Sequence, residues 1–393
     1  MANTLAAAIP QILAQGLLAL RQQAVMPRLV NSGYSEIAGE KGTQIDIPIP
    51  SAVATRTVTN AAVPPQAGDS SPTKVSIAMS QWIEAPFYLS DKDILEAMRG
   101  IVPMQSSEAV KALANNVDAY ILGTALASGG VRGVSQIAGA AGTTPFASDV
   151  SAYSAARKLL NAAPAPFTDR RVVLDVNAEA NVLALPTFLQ AYSAGDQKQI
   201  VQGIIGTKMG ADWYLDQNVK TQATTTASAG AITVNGVNAV AASGVTQTIS
   251  LAKATNPTNL IAGDILTITN QAGTGNPGGT FVVLAAVTLA VGNTTVSIFP
   301  ALTAATAGGE AVTLTNAHVC NVLFHRDAFA FASRPLVGAV EGLGSLMSSM
   351  VDPISGLTLR LEVRRDYKQT TFSYDILYGA DLPRAALATR VMG

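Results

Sequence analysis

Four side chains able to ligate a metal or form a nucleophile pair lie close together in the chain: His318, Cys320, His325 and Asp327. On an extended strand His318 and Cys320 would share one face, the arrangement that a zinc site or a Cys-His pair needs. The spacing matches no standard zinc pattern, however, and the segment VCNVLFHRDAFAFAS is strongly apolar, as a core strand is. The four are read as core residues, and no catalytic residue, metal or cofactor is expected. With two histidines in the whole chain, few groups titrate near neutral pH without help.

Other chemical signals are weaker still. A G-x-G-x-x-G occurs at Gly273, Gly275 and Gly278, but Pro277 and a β-rich run follow where a dinucleotide site needs a helix N-terminus. It reads as a loop. No P-loop and no nucleophile-elbow motif occurs. Asp91 and Asp93 could do acid-base work, but a helix cap explains them more simply, with Ser90 before them. Asn293-Thr294-Thr295 is a sequon that matters only in an exported protein.

The basic run Arg360, Arg364, Arg365 and Lys368, with Tyr367 beside it, is the candidate contact face. On a hairpin Arg360 and Arg364 share one side. Such a face could touch phosphate, but a solvated or intersubunit salt-bridge face is the preferred reading. Arg170-Arg171 is a second, smaller basic candidate.

The elements that carry these residues can be read from periodicity. Leu357, Leu359, Leu361 and Val363 alternate with Thr358, Arg360, Glu362 and Arg364, and the stretch through YDILYG makes a long hairpin turning near Asp366 to Lys368. Ile45, Ile47 and Ile49 mark a strand in TQIDIPIP, and KVSIAMSQWIEA reads as another, with Val75, Ile77 and Met79 on one face. Between them ATRTVTNAAVPPQAGDSSPT is a Thr, Pro and Gly-rich arm that two strands cannot bury, so it is expected to project. A long helix is predicted from about Met104 to Ala127, with Val110, Leu113, Val117, Tyr120 and Ile121 on its stripe and Gly129-Gly130 ending it. A short capped helix is predicted at DKDILEAM, and an amphipathic one from about Gln11 to Val25. In 149–220 helix and strand alternate: SAYSAARKLLNAA helical, RRVVLDV extended, NAEANVLALPTFLQAY helical up to its proline.

Composition sets the boundary of a separate unit. Between Thr221 and Gly309 the only charged residues are Lys253 and Asp264. The runs AITV, VTQTISL, DILTIT, TFVVLAAVTLAV, TTVSIFP and EAVTLTN alternate there with turn signals, including a hairpin signal at Asn235-Gly236, and predict a small barrel or sandwich. Over all 393 residues the charged fraction is 13%, about half the usual quarter. The net charge of -1 argues against a dedicated nucleic-acid binder and against a basic membrane-surface protein. A single Cys forbids an intramolecular disulfide, and no apolar run is long enough for a membrane helix. The N-terminus is apolar but has no Lys or Arg before Arg21, and Pro10, Gln11 and Gln15 interrupt it, so export is not expected. So few charges would keep a free monomer poorly soluble, which hints at a subunit covered by neighbours.

The ordered set of AVKALANNVDAYILGTAL, GTQIDIPIP with its loop and KVSIAMSQWIEAPFYLSDKD, FHRDAFAFASRPL, and YDILYGADLPRAALATRVMG resembles the major capsid proteins of tailed double-stranded DNA bacteriophages. Within that family it is similar to coat proteins of short-tailed phages that carry an inserted β-barrel. The resemblance implies an α+β fold of the Hong Kong phage type, with peripheral and axial domains, an extended loop, an N-terminal arm and an inserted all-β domain. It implies this division: 1–40 N-terminal helical arm, 41–90 extended β-loop, 91–148 peripheral domain with spine helix, 149–220 first part of the axial domain, 221–318 inserted domain, 319–352 axial return, 353–393 peripheral hairpin and tail.

The resemblance further implies a non-enzymatic shell subunit, assembling with itself as pentamers and hexamers around packaged DNA that it contacts without sequence preference. A scaffolding protein and a portal are the implied partners, with no membrane and no cofactor, and the location is the virion, assembled in the host cytoplasm. Arg56, Thr57, Val58, Pro64 and Pro65 fall in the implied intersubunit loop. Some relatives cross-link through a Lys-Asn isopeptide bond; those positions are not matched here and no such bond is expected. Two other readings stand beside this one: an encapsulin-like nanocompartment shell, and an exported surface protein with an immunoglobulin-like module.

Overall fold

A long helix, Ile101–Ala125, lies against a sheet built largely from the last third of the chain. The computed structural model describes residues 13, 16, 24–33, 44–49, 55, 73–92, 101–127, 132–142, 144–163, 165–189, 205–223, 231–241, 246–269, 278–336, 345–351 and 357–392. The predicted short helix beyond Lys92, the Gly129-Gly130 stop, Gly273, Gly275 and most of the N-terminal helix lie outside them.

The helix follows from its residues. Val110, Leu113, Ala114, Val117, Ile121, Leu122 and Ala125 are all buried, an apolar stripe at helical spacing that must face a core. The sheet it covers contains Gln81–Ser90, Gln369–Asp381, Thr358–Asp366 and Ser345–Val351, with Ala330–Arg334 paired to the far end of Gln369–Asp381. The C-terminal hairpin is as expected: Asp366 pairs with Gln369, which leaves Tyr367-Lys368 as the turn, and Lys368 takes the positive φ of 55°. Leu359, Leu361, Val363, Phe372, Tyr374 and Ile376 are buried beneath the helix. Phe87 stacks on Phe372 at 5.1 Å, and the Tyr378 hydroxyl donates to Asn116 Oδ1 at 2.7 Å, tying sheet to helix.

KVSIAMSQWIEA is not one strand. Thr73–Ala78 pairs antiparallel with Gln44–Ile49, whereas Gln81–Ser90 joins the large sheet. Alternation persists through the break at Met79-Ser80, so a period-two pattern cannot register the change of partner.

A second, six-stranded sheet runs in the order Ile137–Ala138, Ala388–Val391, Asn321–His325, Arg170–Leu174, Ala211–Leu215, Thr207–Lys208. Its central strand Asn321–His325 is buried at every position, which accounts for the apolar run there. Arg170–Leu174 and Ala211–Leu215 are parallel, and the crossover between them contains helices Val176–Ala184 and Pro186–Leu189. Asp175 caps the first of these, accepting from Asn177 N at 3.0 Å and Ala178 N at 3.3 Å. The helix ends before Pro186, as expected, and a short one restarts at that proline. Helix Ser151–Ala162 packs beside the same sheet. Of the segment 319–352, Asn321–His325 lies in this sheet, whereas Ala330–Arg334 and Ser345–Val351 belong to the hairpin sheet. The tail strand Ala388–Val391 belongs here.

The insertion is a closed barrel of six antiparallel strands, Ile232–Val234, Gln247–Lys253, Ile265–Ile268, Gly279–Val283, Gly292–Phe299 and Ala311–Leu314. Closure leaves no open edge to protect. TFVVLAAVTLAV divides into Gly279–Val283 in the barrel and Val287–Leu289, which pairs with Thr258–Leu260 outside it. Asn235-Gly236 does not close a two-residue hairpin. Gly236 has a φ of 63°, but the chain runs on to Gln247 before the next strand. The insertion enters and leaves through a neck in which Thr221–Gln222 pairs with His318–Val319.

Candidate functional site

The His318 cluster does not form a metal or nucleophile site. His318 is fully buried; its Nδ1–H donates to the Asn316 carbonyl at 3.0 Å, and its Nε2 accepts from Arg390 Nη1 at 3.3 Å. Burial pushes its pKa down and that of the Cys320 thiol up, so the imidazole stays neutral and the thiol protonated. His325 Nδ1 accepts from Asp327 N at 3.2 Å in a local turn. Among the described residues no group of three or more His, Cys, Asp or Glu could hold a metal ion.

What the cluster builds is a joint. Arg390 is fully buried and donates from Nη1 to the Gly263 carbonyl at 3.0 Å and from Nη2 to the Ala125 carbonyl at 2.9 Å. It therefore ties the barrel, the neck and the C-terminus of the long helix to the last strand. A cation there also answers the negative end of the helix dipole. Gln222 Nε2 donates to Asp264 Oδ1 at 2.9 Å across the same neck. Gly263 is required: at φ 92° a Cβ would lie 2.5 Å from Gln222 Oε1 and 2.6 Å from the Leu126 carbonyl. Ile265, Val282, Leu284 and Phe299 of the insertion join the body's hydrophobic core, so the barrel is docked.

The basic run is largely neutralised within the subunit. Arg360 Nε donates to Asp375 Oδ1 at 2.8 Å, its Nη2 also reaches this carboxylate, and Trp82 Nε1 donates to Asp375 Oδ2 at 3.0 Å. The pair is nearly buried, with side chains 11% and 6% exposed. Arg364 bridges to Asp366 at 3.2 Å, and Arg365 makes a two-point bridge to Asp91 at 2.5 and 2.6 Å, which holds that carboxyl below its usual range. Asp91 is thus an ion-pair partner of the hairpin. Lys368 Nζ sits 5.0 Å from the centre of the Tyr367 ring. Arg360 and Arg364 do share the outer face of the sheet, as expected, but no field of unpaired arginines results.

Arg170-Arg171 is likewise structural. Arg170 donates to the Pro166 and Ala165 carbonyls at 2.7 and 2.8 Å and to Asn161 Oδ1 at 2.8 Å, while Arg171 donates to the Leu29 carbonyl. Arg56, Thr57, Val58, Pro64 and Pro65 lie outside the described residues.

Sequence reasoning missed Asp375, Trp82, Arg390 and Asp118. Asp118 carried the one usable signal, a carboxylate next to Val117 on the apolar stripe of the long helix. The barrel holds a further surprise: Lys253, Asp264 and Glu310 are all buried, so its described surface bears no charge. No described helix is long and apolar enough to cross a membrane.

A long helix laid across a hairpin sheet, a separate strand pair at Gln44–Ile49 and Thr73–Ala78, and a second sheet bearing an inserted barrel make up a mixed α+β fold. The structure of Mycobacterium phage Che8 shares the fold, with a TM-score of 0.52 at 15% identity, covering 93% of this chain and 90% of that one. The capsid of the cyanophage P-SCSP1u matches at a TM-score of 0.46 and 12% identity over 94% of this chain and 88% of that one. The capsid of a native GTA particle matches at 0.47 and 11% over 95% and 89%. No family model matches the chain, and no curated protein does.

Proposed function

We propose that this chain is the major capsid protein of a tailed double-stranded DNA phage, a structural subunit that assembles into an icosahedral shell. The observation that carries the reading is the fold shared with the Che8 structure over nine-tenths of the chain, at 93% coverage. The chemistry of the described residues supports it. The one cluster with catalytic potential is a buried joint, and the arginines of the hairpin are held by carboxylates of the same subunit.

In this reading the hairpin sheet and long helix form the peripheral domain, and the six-stranded sheet forms the axial domain around five- and six-fold axes. Gln44–Ile49 and Thr73–Ala78 form the base of an extended loop that Gln81–Ser90 returns to the hairpin sheet, and the segment holding Arg56, Thr57, Val58, Pro64 and Pro65 lies over a neighbouring subunit. Many weak contacts, repeated by symmetry, close such a shell without an active site. Near-zero net charge fits weak contact with packaged DNA. Of the basic positions, Arg364 and Lys368 at the exposed hairpin tip are the ones placed to meet a neighbour. A scaffolding protein and a portal are the expected partners, and the subunit acts in the virion after assembly in the host cytoplasm, without enzymatic activity.

Deleting residues 56–72 tests the loop: a folded subunit that no longer makes stable shells is expected, and normal shells would refute the role. The contents of particles purified from producing cells test the rest. Nuclease-protected double-stranded DNA is expected; particles holding a cargo enzyme and no nucleic acid would favour a nanocompartment instead.

A further inference from the structure

A buried arginine holds up an exposed phenyl ring in the loop that precedes the strand Arg170–Leu174. Arg170 is 3% exposed; its Nε donates to the Pro166 carbonyl at 2.7 Å, its Nη2 to the Ala165 carbonyl at 2.8 Å and its Nη1 to Asn161 Oδ1 at 2.8 Å. The guanidinium carbon lies 5.0 Å from the centre of the Phe167 ring. All three acceptors are neutral oxygens, and burying a guanidinium without a carboxylate is costly, so the shape of this loop is held against that cost. Yet Phe167 is 73% exposed. An aromatic side chain fixed in solvent has already lost much of the freedom that binding takes away, which is what the anchor of an interface needs.

The surroundings of Phe167 are basic. Arg157 Nη1 donates to the Met209 carbonyl at 2.9 Å, Lys158 follows it on the helix Ser151–Ala162, Lys208 precedes Met209, and Arg326 N donates to the Asp169 carbonyl at 3.2 Å. Of the carboxylates there, Asp212 and Asp327 accept from Thr207 and Asn31, and Asp169 is exposed. The other end of the strand has the opposite character. Val176, 52% exposed, opens the helix Val176–Ala184, and Leu215, 37% exposed, pairs with Leu174. Asp175 and Glu179 flank Val176, and Asp149 stands at the start of the helix Ser151–Ala162, against Lys220. That helix runs back along the sheet: Asn161 near its end accepts from Arg170, whereas Ala152 near its start lies against Gly139, as does Met392, which follows the Val391 paired with Asn321. The Asn321 side chain in turn accepts from Asp175 N at 2.6 Å.

We propose that the two ends of this strand are the two halves of one contact between copies of the chain: the Phe167 loop of one subunit seats on the Val176 and Leu215 surface of the next, basic end against acidic end. The inference rests on the shell reading and adds to it the surfaces by which subunits meet around an axis. Within one chain the halves cannot touch, because the five-residue strand between them keeps them at least about 13 Å apart. A contact between unlike surfaces is head-to-tail, and repeated by rotation it closes a ring. Opposite charge at the two ends favours that order and disfavours joining like ends.

The test places a thiol beside each half and leaves the anchors intact. Full-length chains carrying both Thr168→Cys and Asn177→Cys, two exposed positions, are treated with a short bis-maleimide, the native Cys320 being buried. A ladder of covalent oligomers ending at closed rings is expected on a denaturing gel, each link joining two copies. Phe167→Ser is expected to keep the wild-type urea midpoint, since the ring is exposed, and to lower the yield of shells about tenfold at equal concentration. Shells from the double variant that yield only monomers after cross-linking overturn the proposal and leave the shell reading intact, as do normal shells from Phe167→Ser. If the wild type makes no shells and the double variant stays monomeric, both readings fall. Oligomers cross-linked where no shells form would keep the contact and remove the shell.

Discussion

Arg360 and Arg364 stand on the same side of the same strand, yet one is nearly buried against Asp375 and the other half-exposed beside Asp366. The difference predicts opposite outcomes. Asp375→Ala removes the carboxylate that pairs with a nearly buried guanidinium and accepts from Trp82, and should cost about 3 kcal/mol in urea unfolding. Arg364→Ala should leave the midpoint unchanged, as exposed pairs contribute little. Arg390→Met, which removes the donor to the buried Gly263 carbonyl and one of the two donors to the Ala125 carbonyl at the joint, should cost about 3 kcal/mol in the same assay. None of this was legible from the run of basic residues. An arginine's environment is set by its partner, and Asp375 and Asp91 reach the run through pairing of strands and the close of the hairpin. The apolar setting of His318 and Cys320 was legible, and both are buried; Arg390, beside them in space, was not.

Elements were read most securely where one face is buried and the other wet. The hairpin alternation from Leu357 onward, the stripe on the long helix and all six barrel strands fall in the runs read from that pattern, and composition marks the charge boundary near Thr221. The strand Ala211–Leu215 was missed, since Asp212 and Tyr214 alternate with Ala211 and Trp213 over too short a run. The breaks at Met79-Ser80 and after Val283 were missed because apolar periodicity reports burial without saying against which sheet. The docking of the barrel was equally silent, as Ile265 and Val282 look like any barrel residues. Docking has a measurable consequence. Both tryptophans, Trp82 and Trp213, lie in the body, so their fluorescence follows the body while far-UV circular dichroism also follows the barrel. The two urea transitions should coincide. An earlier transition seen by dichroism alone would show a barrel that unfolds independently.

At the scale of the whole molecule the low charge is distributed with purpose. The barrel keeps its few charged groups inside and offers a neutral surface, which has nothing with which to neutralise a phosphate. The body spends its arginines on its own carboxylates and on backbone carbonyls. In the proposed shell, a subunit with so little electrostatic reach would depend on shape and apolar contact with copies of itself. Trp82, Tyr88 and Tyr367 are exposed aromatic side chains on the hairpin sheet, the residue type enriched where such contacts form. The most direct measurement of the central claim is electron microscopy of the full-length protein expressed alone and with a candidate scaffolding protein. Closed shells of uniform size, with subunits clustered in fives and sixes, are the predicted result; monomers or dimers under both conditions would contradict it.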